Sequence, residues 1–113
     1  MGELTRYRQF ITQILADYTE FLSGDPAFEP LLVIDDRHDH YMILFVGWRN
    51  QDRERELRIH VFVRLIGSKF WIEEDGTEFG IAQRLIDVGV PKADIVLAFQ
   101  TPAERRYGTF ALA

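Results

Sequence analysis

WIEEDGTEFGIAQRL, residues Trp71 to Leu85, changes its hydrophobic period halfway along. Its first part, with Lys69 and Phe70 ahead of it, reads as a strand, Lys69–Glu74. Its last part continues into IDVG, where Ile81, Ala82, Leu85, Ile86 and Val88 recur at helical spacing. Between the two lie four acids within six positions, Glu73, Glu74, Asp75 and Glu78, punctuated by Gly76 and Gly80. Carboxylates so close could hold Mg²⁺ or Mn²⁺, because hard cations take oxygen ligands. They could equally start a helix, with Asp75 as N-cap and Glu78 three residues on completing a capping box. Acids in a first helical turn also meet the positive end of the helix dipole. Strand geometry sends Glu73 and Glu74 to opposite faces, which favours a structural cap at Asp75, Gly76, Thr77 and Glu78. The two glycines match neither a phosphate loop nor a dinucleotide fingerprint.

Working outward, the segment before this junction is rich in strand signals. Residues 57–66, LRIHVFVRLI, alternate: Leu57, Ile59, Val61, Val63 and Leu65 point one way, Arg58, His60, Phe62 and Arg64 the other. Gly67-Ser68 then reads as a tight turn. Tyr41–Arg49 is apolar nearly throughout, as a strand covered on both faces would be. Phe28–Asp35 is a shorter apolar run, and polar connectors separate the three. Short connectors between successive strands imply an antiparallel meander. At the front, residues 3–22 carry Leu4, Tyr7, Ile11, Ile14, Leu15, Tyr18 and Leu22 on one helical stripe, ended by Ser23-Gly24-Asp25-Pro26. Beyond the junction, Gly89 suits the left-handed residue that closes a helix, and Pro91 follows it. Ile95–Phe99 reads as a short strand, and Pro102 is placed to start a helical turn before an apolar tail. The expected fold is α+β in a single domain, residues 1–113. It comprises an N-terminal helix, an antiparallel four-stranded meander, a second helix, a short fifth strand and a C-terminal tail. Both helices are expected on one face of the sheet.

Composition narrows the function. With no cysteine among 113 residues, disulfides, thiolate zinc sites, iron–sulfur clusters and cysteine nucleophiles are excluded. The polar start MGELTRYRQF is not that of a signal peptide, and the apolar runs are too short to span a bilayer. A cytoplasmic protein without membrane contact is expected. A net charge of −5 argues against direct nucleic-acid contact by this chain alone. A basic group at Arg53, Arg55, Arg58 and Arg64 keeps a DNA-binding alternative open.

Other chemistry-bearing residues have plain structural readings. Asp35–His40, DDRHDH, could chelate a metal through His38 and His40, but it also suits a solvated loop between strands. His60, beside Arg58 and Arg64, could bind an anion or simply be a partly exposed strand residue. Ser23 and Ser68 sit in turns and in no nucleophile elbow. No catalytic residue, cofactor or metal ligand is assigned. Trp48 and Trp71 end and occupy strands, where a tryptophan can be core or interface anchor. The tail Arg105-Arg106-Tyr107-Gly108-Thr109-Phe110-Ala111-Leu112-Ala113 must pack on its own domain, join a sheet edge or meet a partner.

The segments LTRYRQFITQILADY and YMILFVGW, and above all FWIEEDGTEFGIAQRLIDVGVPKADIVLAFQTPAERRYGTFALA, resemble the XisI family, described as the fdxN element excision controlling factor of cyanobacteria. The most specific parts are WIEEDGTE, GVPKADIVLAF and the ending FALA. The resemblance implies a non-enzymatic accessory protein in a programmed DNA rearrangement of heterocyst development, working with a XisH-like, nuclease-type partner. Candidate partner contacts are Trp48, Arg105, Arg106, Tyr107, Phe110 and Leu112. A homo-oligomer is compatible, since an open edge strand could pair with a second copy. The alternative is a metal-dependent nuclease or hydrolase subunit using the acidic cluster, or a direct DNA-binding module. The chain departs from the family pattern at Gln100, where a His is frequent, and at Gly108-Thr109, where an acid is frequent. No His-dependent chemistry is therefore expected at Gln100.

Overall fold

Twenty residues of good helical pattern form α1 (Glu3–Leu22), which ends where Ser23 turns extended ahead of Pro26. Four strands follow: β1 (Phe28–Asp35), β2 (His40–Arg49), β3 (Glu54–Ile66) and β4 (Lys69–Asp75). Next come α2 (Ile81–Asp87), a 3₁₀ turn (Lys92–Asp94), β5 (Ile95–Leu97) and a final turn of helix, α3 (Pro102–Arg105). This computed structural model describes residues 2–113. No described helix is long and apolar enough to cross a membrane.

The first four strands pair in sequence order and antiparallel, as the short connectors require. The sheet does not stop there. β5 joins β4 in parallel, with Phe70 opposite Ile95 and Ile72 opposite Leu97, so the sheet is five-stranded and mixed. The reason is α2: it carries the chain back along β4, so that β5 runs the same way as β4. β5 is also shorter than expected, because past Leu97 the chain turns and the Phe99 N–H donates to the Ile72 carbonyl at 3.2 Å. Gly67 and Ser68 both take positive φ in the β3–β4 hairpin, and Gly89 closes the helical segment at φ +104°.

The larger correction concerns β3. Its residues do not keep one alternation from Leu57 to Leu65. Ile43 faces Val61 but Leu44 faces Ile59, so His60 is an extra residue, a β-bulge. The insertion reverses the parity of the strand. Val61, Val63 and Leu65 point under the helices, and so do Glu56 and His60 on the other side of the bulge. Leu57 and Ile59, expected in the core, face away and stay 64% and 48% exposed. A second irregularity lies between Phe62 and Val63 opposite β4, where Glu73 is the extra residue.

The core lies between one face of the sheet and the helices. Tyr7, Ile11 and Leu15 of α1 and Ile81 and Leu85 of α2 pack on Tyr41, Ile43, Val63, Phe70 and Ile72. Each such aliphatic or aromatic burial stabilises by roughly 1.5–3 kcal/mol. Polar ties fix the angle of α1. Arg8 forks onto Asp39 in the β1–β2 turn at 2.8 and 3.0 Å, and the Tyr7 hydroxyl donates to Asp94 at 2.5 Å. Burial and the Asp94 carboxylate both push the Tyr7 phenol pKa upward, so it stays a donor.

Candidate partner-binding surfaces

The acids of the opening stretch are given separate jobs. Glu73, on the bulge, accepts two bonds from Arg64 at 2.8 and 3.0 Å. Asp75 is not the N-cap of α2; Gly80 is, and no capping box forms with Glu78. Asp75 instead caps from a distance. Its Oδ2 accepts the Ile81 N–H at 2.8 Å, and its Oδ1 accepts the Thr77 N–H and hydroxyl at 3.0 and 2.6 Å. The Thr77 hydroxyl accepts in turn from the Gly80 N–H at 3.0 Å. The longer loop puts the helix start five residues later than a capping box allows, so one carboxylate reaches across it. Gly76 is needed beneath: a Cβ there would lie 2.4 Å from His60 Nδ1. The capping box of this protein is at Thr101 and Glu104, heading α3.

Asp35 organises its own turn, accepting from the Arg37 and His38 N–H groups and meeting His38 Nδ1 at 2.7 Å. Those bonds, led by the His38 contact, hold its pKa below the usual carboxylate value. Asp39 turns the other way, toward Arg8 and Tyr41. Among the described residues no group of three or more His, Asp or Glu is placed to hold a metal ion. The arginines are likewise spread. Arg58 and Arg49 both pair with the buried Glu56, Arg64 pairs with Glu73, and Arg55 lies over the Trp48 ring.

His60 is not a partly exposed strand residue. It is 7% exposed, stacked on Phe45 at 4.2 Å between centroids, and its Nε2 lies 2.9 Å from the Tyr18 hydroxyl. Desolvation, reinforced by Arg58, lowers its pKa against the opposing pull of Asp75 and Glu74. It floors a groove of about 1130 Å³ between α1 and α2, walled by Phe10, Tyr18, Phe21 and Phe79.

The tail zips onto the sheet edge. Ala111 bridges Val96 in parallel, and its N–H donates to the Ile95 carbonyl at 2.9 Å. Lys92 covers the Phe110 ring, which packs on the core and so acts as a peg. Arg105 lies over Trp71 and donates to the Leu112 carbonyl at 2.9 Å. Arg106, Tyr107 and Leu112 remain outside, with Tyr107 94% exposed. Trp48 does not join this patch. It sits on β2, three strands away from β5, beside Arg55.

The opposite face of the sheet carries neither α1 nor α2. Pairing registers place Leu31 and Val33 of β1, Leu44 and Trp48 of β2, and Leu57 and Ile59 of β3 together on it. The apolar run of β2 is thus covered on one face only, not on both. The continuous apolar character of β2 was the signal for this second surface. The alternation of β3 masked it, because nothing in that alternation marks a bulge.

A family model described as XisI protein matches residues 1–112 of this chain. The chain belongs to the XisI family. A solved XisI-like protein from Anabaena variabilis ATCC 29413 is 29% identical, with a TM-score of 0.89 over 97% of this chain and 99% of that one. The fdxN element excision controlling factor XisI from the same organism is 33% identical, with a TM-score of 0.87 over 99% of this chain and 100% of that one. No curated protein sequence matches significantly. The mixed five-stranded sheet with its N-terminal helix is therefore the XisI-like α+β fold.

Proposed function

We propose that this XisI family chain is a non-enzymatic accessory factor for excision of an fdxN-type DNA element, acting in the cytoplasm on a XisH-like, nuclease-type partner. Its likeness to an fdxN element excision controlling factor over nearly the whole chain supports the role. The observation that carries the protein-binding part is the mounting of Tyr107. An almost fully exposed aromatic follows a capped helical turn, on a tail hydrogen-bonded to β5. A backbone already fixed loses little conformational freedom on binding, which makes the aromatic it carries a good anchor. Arg106 and Leu112 flank it on the tail; Arg105 and Phe110 hold the tail in place.

The test is co-purification of the tagged chain with the XisH-like product of its own genome. A stable hetero-complex is expected, weakened about tenfold or more by Tyr107→Ala, as for an interface anchor. Cutting after Pro102 is a poorer test, since it also strips the neighbour of β5. Recovery of the chain without that partner, or unaltered binding by Tyr107→Ala, would overturn the proposal.

A further inference from the structure

We propose that the uncovered face of the sheet docks a second copy of this chain, face to face, about a two-fold axis running along β2. The inference stands apart from the accessory role and uses a different surface from the tail. Leu31, Val33, Trp48, Leu57 and Ile59 are each at least one-third exposed there. Together they leave roughly 500 Å² of apolar surface open, at the upper end of what monomers show and most of the ~800 Å² that each partner buries in a standard interface. Sheets pack face to face when both inner faces are apolar, which the back of this sheet satisfies.

The pattern of charge selects a second copy over another occupant. The middle of the band carries no charged side chain. At one end lie Glu29 on β1 and Arg55 on β3; at the other lie Asp35 on β1, held by His38, and Arg64 on β3, already paired with Glu73 of its own chain. A two-fold axis along β2 lays β1 of one protomer over β3 of its partner without exchanging the ends. Glu29 then meets Arg55, twice by symmetry. Leu31 comes over Ile59, and Leu44 meets its own symmetry mate. A nucleic acid would need a predominantly basic face, which this is not. Asp17, Glu78 and Asp87 line the groove on the helix side, away from the contact.

The experiment is the mass in solution of the full chain, by light scattering and by sedimentation over a dilution series. A particle of twice 13.2 kDa is expected. It should persist at roughly 100 µM and dissociate on dilution, as an interface of this size allows. Arg55→Glu sets Glu29 against a second acid and should weaken the dimer by about tenfold or more. The swap Glu29→Arg with Arg55→Glu should restore it, a rescue that only self-association about this axis predicts. Ile59→Asp, in the middle of the face, should give a monomer with an unchanged far-ultraviolet circular dichroism spectrum. A wild-type monomer throughout the series would overturn the proposal and leave the face to a partner of different sequence. A dimer indifferent to both Arg55→Glu and Ile59→Asp would overturn it as well.

Discussion

Replacing Asp75 by Ala tests how the strand-to-helix junction is held. One carboxylate accepts three bonds, at 2.6, 2.8 and 3.0 Å, from Thr77 and from the first N–H of α2. A hydrogen bond to a charged group contributes about 1.5–3 kcal/mol, and bonds sharing one acceptor group do not add in full. The junction is only partly buried, so water takes up part of the loss. The net destabilisation should be about 3 kcal/mol, a large share of the 5–15 kcal/mol that holds a domain together. In urea, with a slope of about 2 kcal/mol/M, the unfolding midpoint should fall by about 1.5 M. Asp75→Asn keeps one acceptor oxygen and turns the other into a donor, so it should cost about half as much. Thr77→Val should lose part of the same free energy and couple to Asp75→Ala in a double-mutant cycle. A midpoint shift under roughly 0.3 M for Asp75→Ala would refute the capping account. So would a higher midpoint, the result expected if crowded acids repelled one another while awaiting a metal.

Two further outcomes follow from His60 and its surroundings. Because the folded state holds His60 below its ordinary pKa of 6.5, the unfolded chain binds its proton first as pH falls. Stability should therefore be full above pH 6.5 and decline from there toward the folded pKa, and His60→Gln should flatten that decline in thermal melts across the window. Gly76→Ala should destabilise by about 2 kcal/mol or more, since its Cβ would press on the His60 ring and on the His60 carbonyl at 2.9 Å. A melting temperature equal to wild type would show that the loop moves aside freely.

Much of the architecture was legible because local rules agree with the fold. The stripe on α1, the glycine-serine hairpin, the close of the helical segment at Gly89 and the turn at Pro102 each depend on neighbours within a few residues. The misreadings arose where distant elements decide. Parallel pairing of β5 depends on where α2 delivers the chain, which no period in Ile95–Phe99 encodes. Asp75 looked like an N-cap because acid spacing fits one. The actual cap spans six residues, and a reach of that length has no spacing rule. Joining a sheet edge was one of three readings open for the tail, and its apolar residues split into Phe110 facing in and Leu112 facing out only once that edge existed.

The bulge at His60 ties the two surfaces of the sheet together. Without it, Leu57 and Ile59 would lie under the helices with Val61, and His60 would face out. The extra residue exchanges these sets. It sends Glu56 and His60 inward, where Arg49 and Arg58 neutralise Glu56 and Tyr18 meets His60. It sends the two aliphatic side chains outward. Burying a histidine while exposing a leucine and an isoleucine runs against the transfer free energies of all three side chains. In an isolated monomer only the Phe45 stack, the Tyr18 bond and the Glu56 ion pairs offset that exchange. It becomes favourable once the back of the sheet is covered, because Leu57 and Ile59 then leave water too. On the proposed docking, the bulge is what places Leu57 and Ile59 on the interface. Straightening it by deleting His60 should leave Leu57 opposite Val46 and Ile59 opposite Leu44 on the back face, so self-association should survive while the Tyr18 contact is lost. A His60 deletion that folds but no longer dimerises would refute the assignment of docking to the apolar back face.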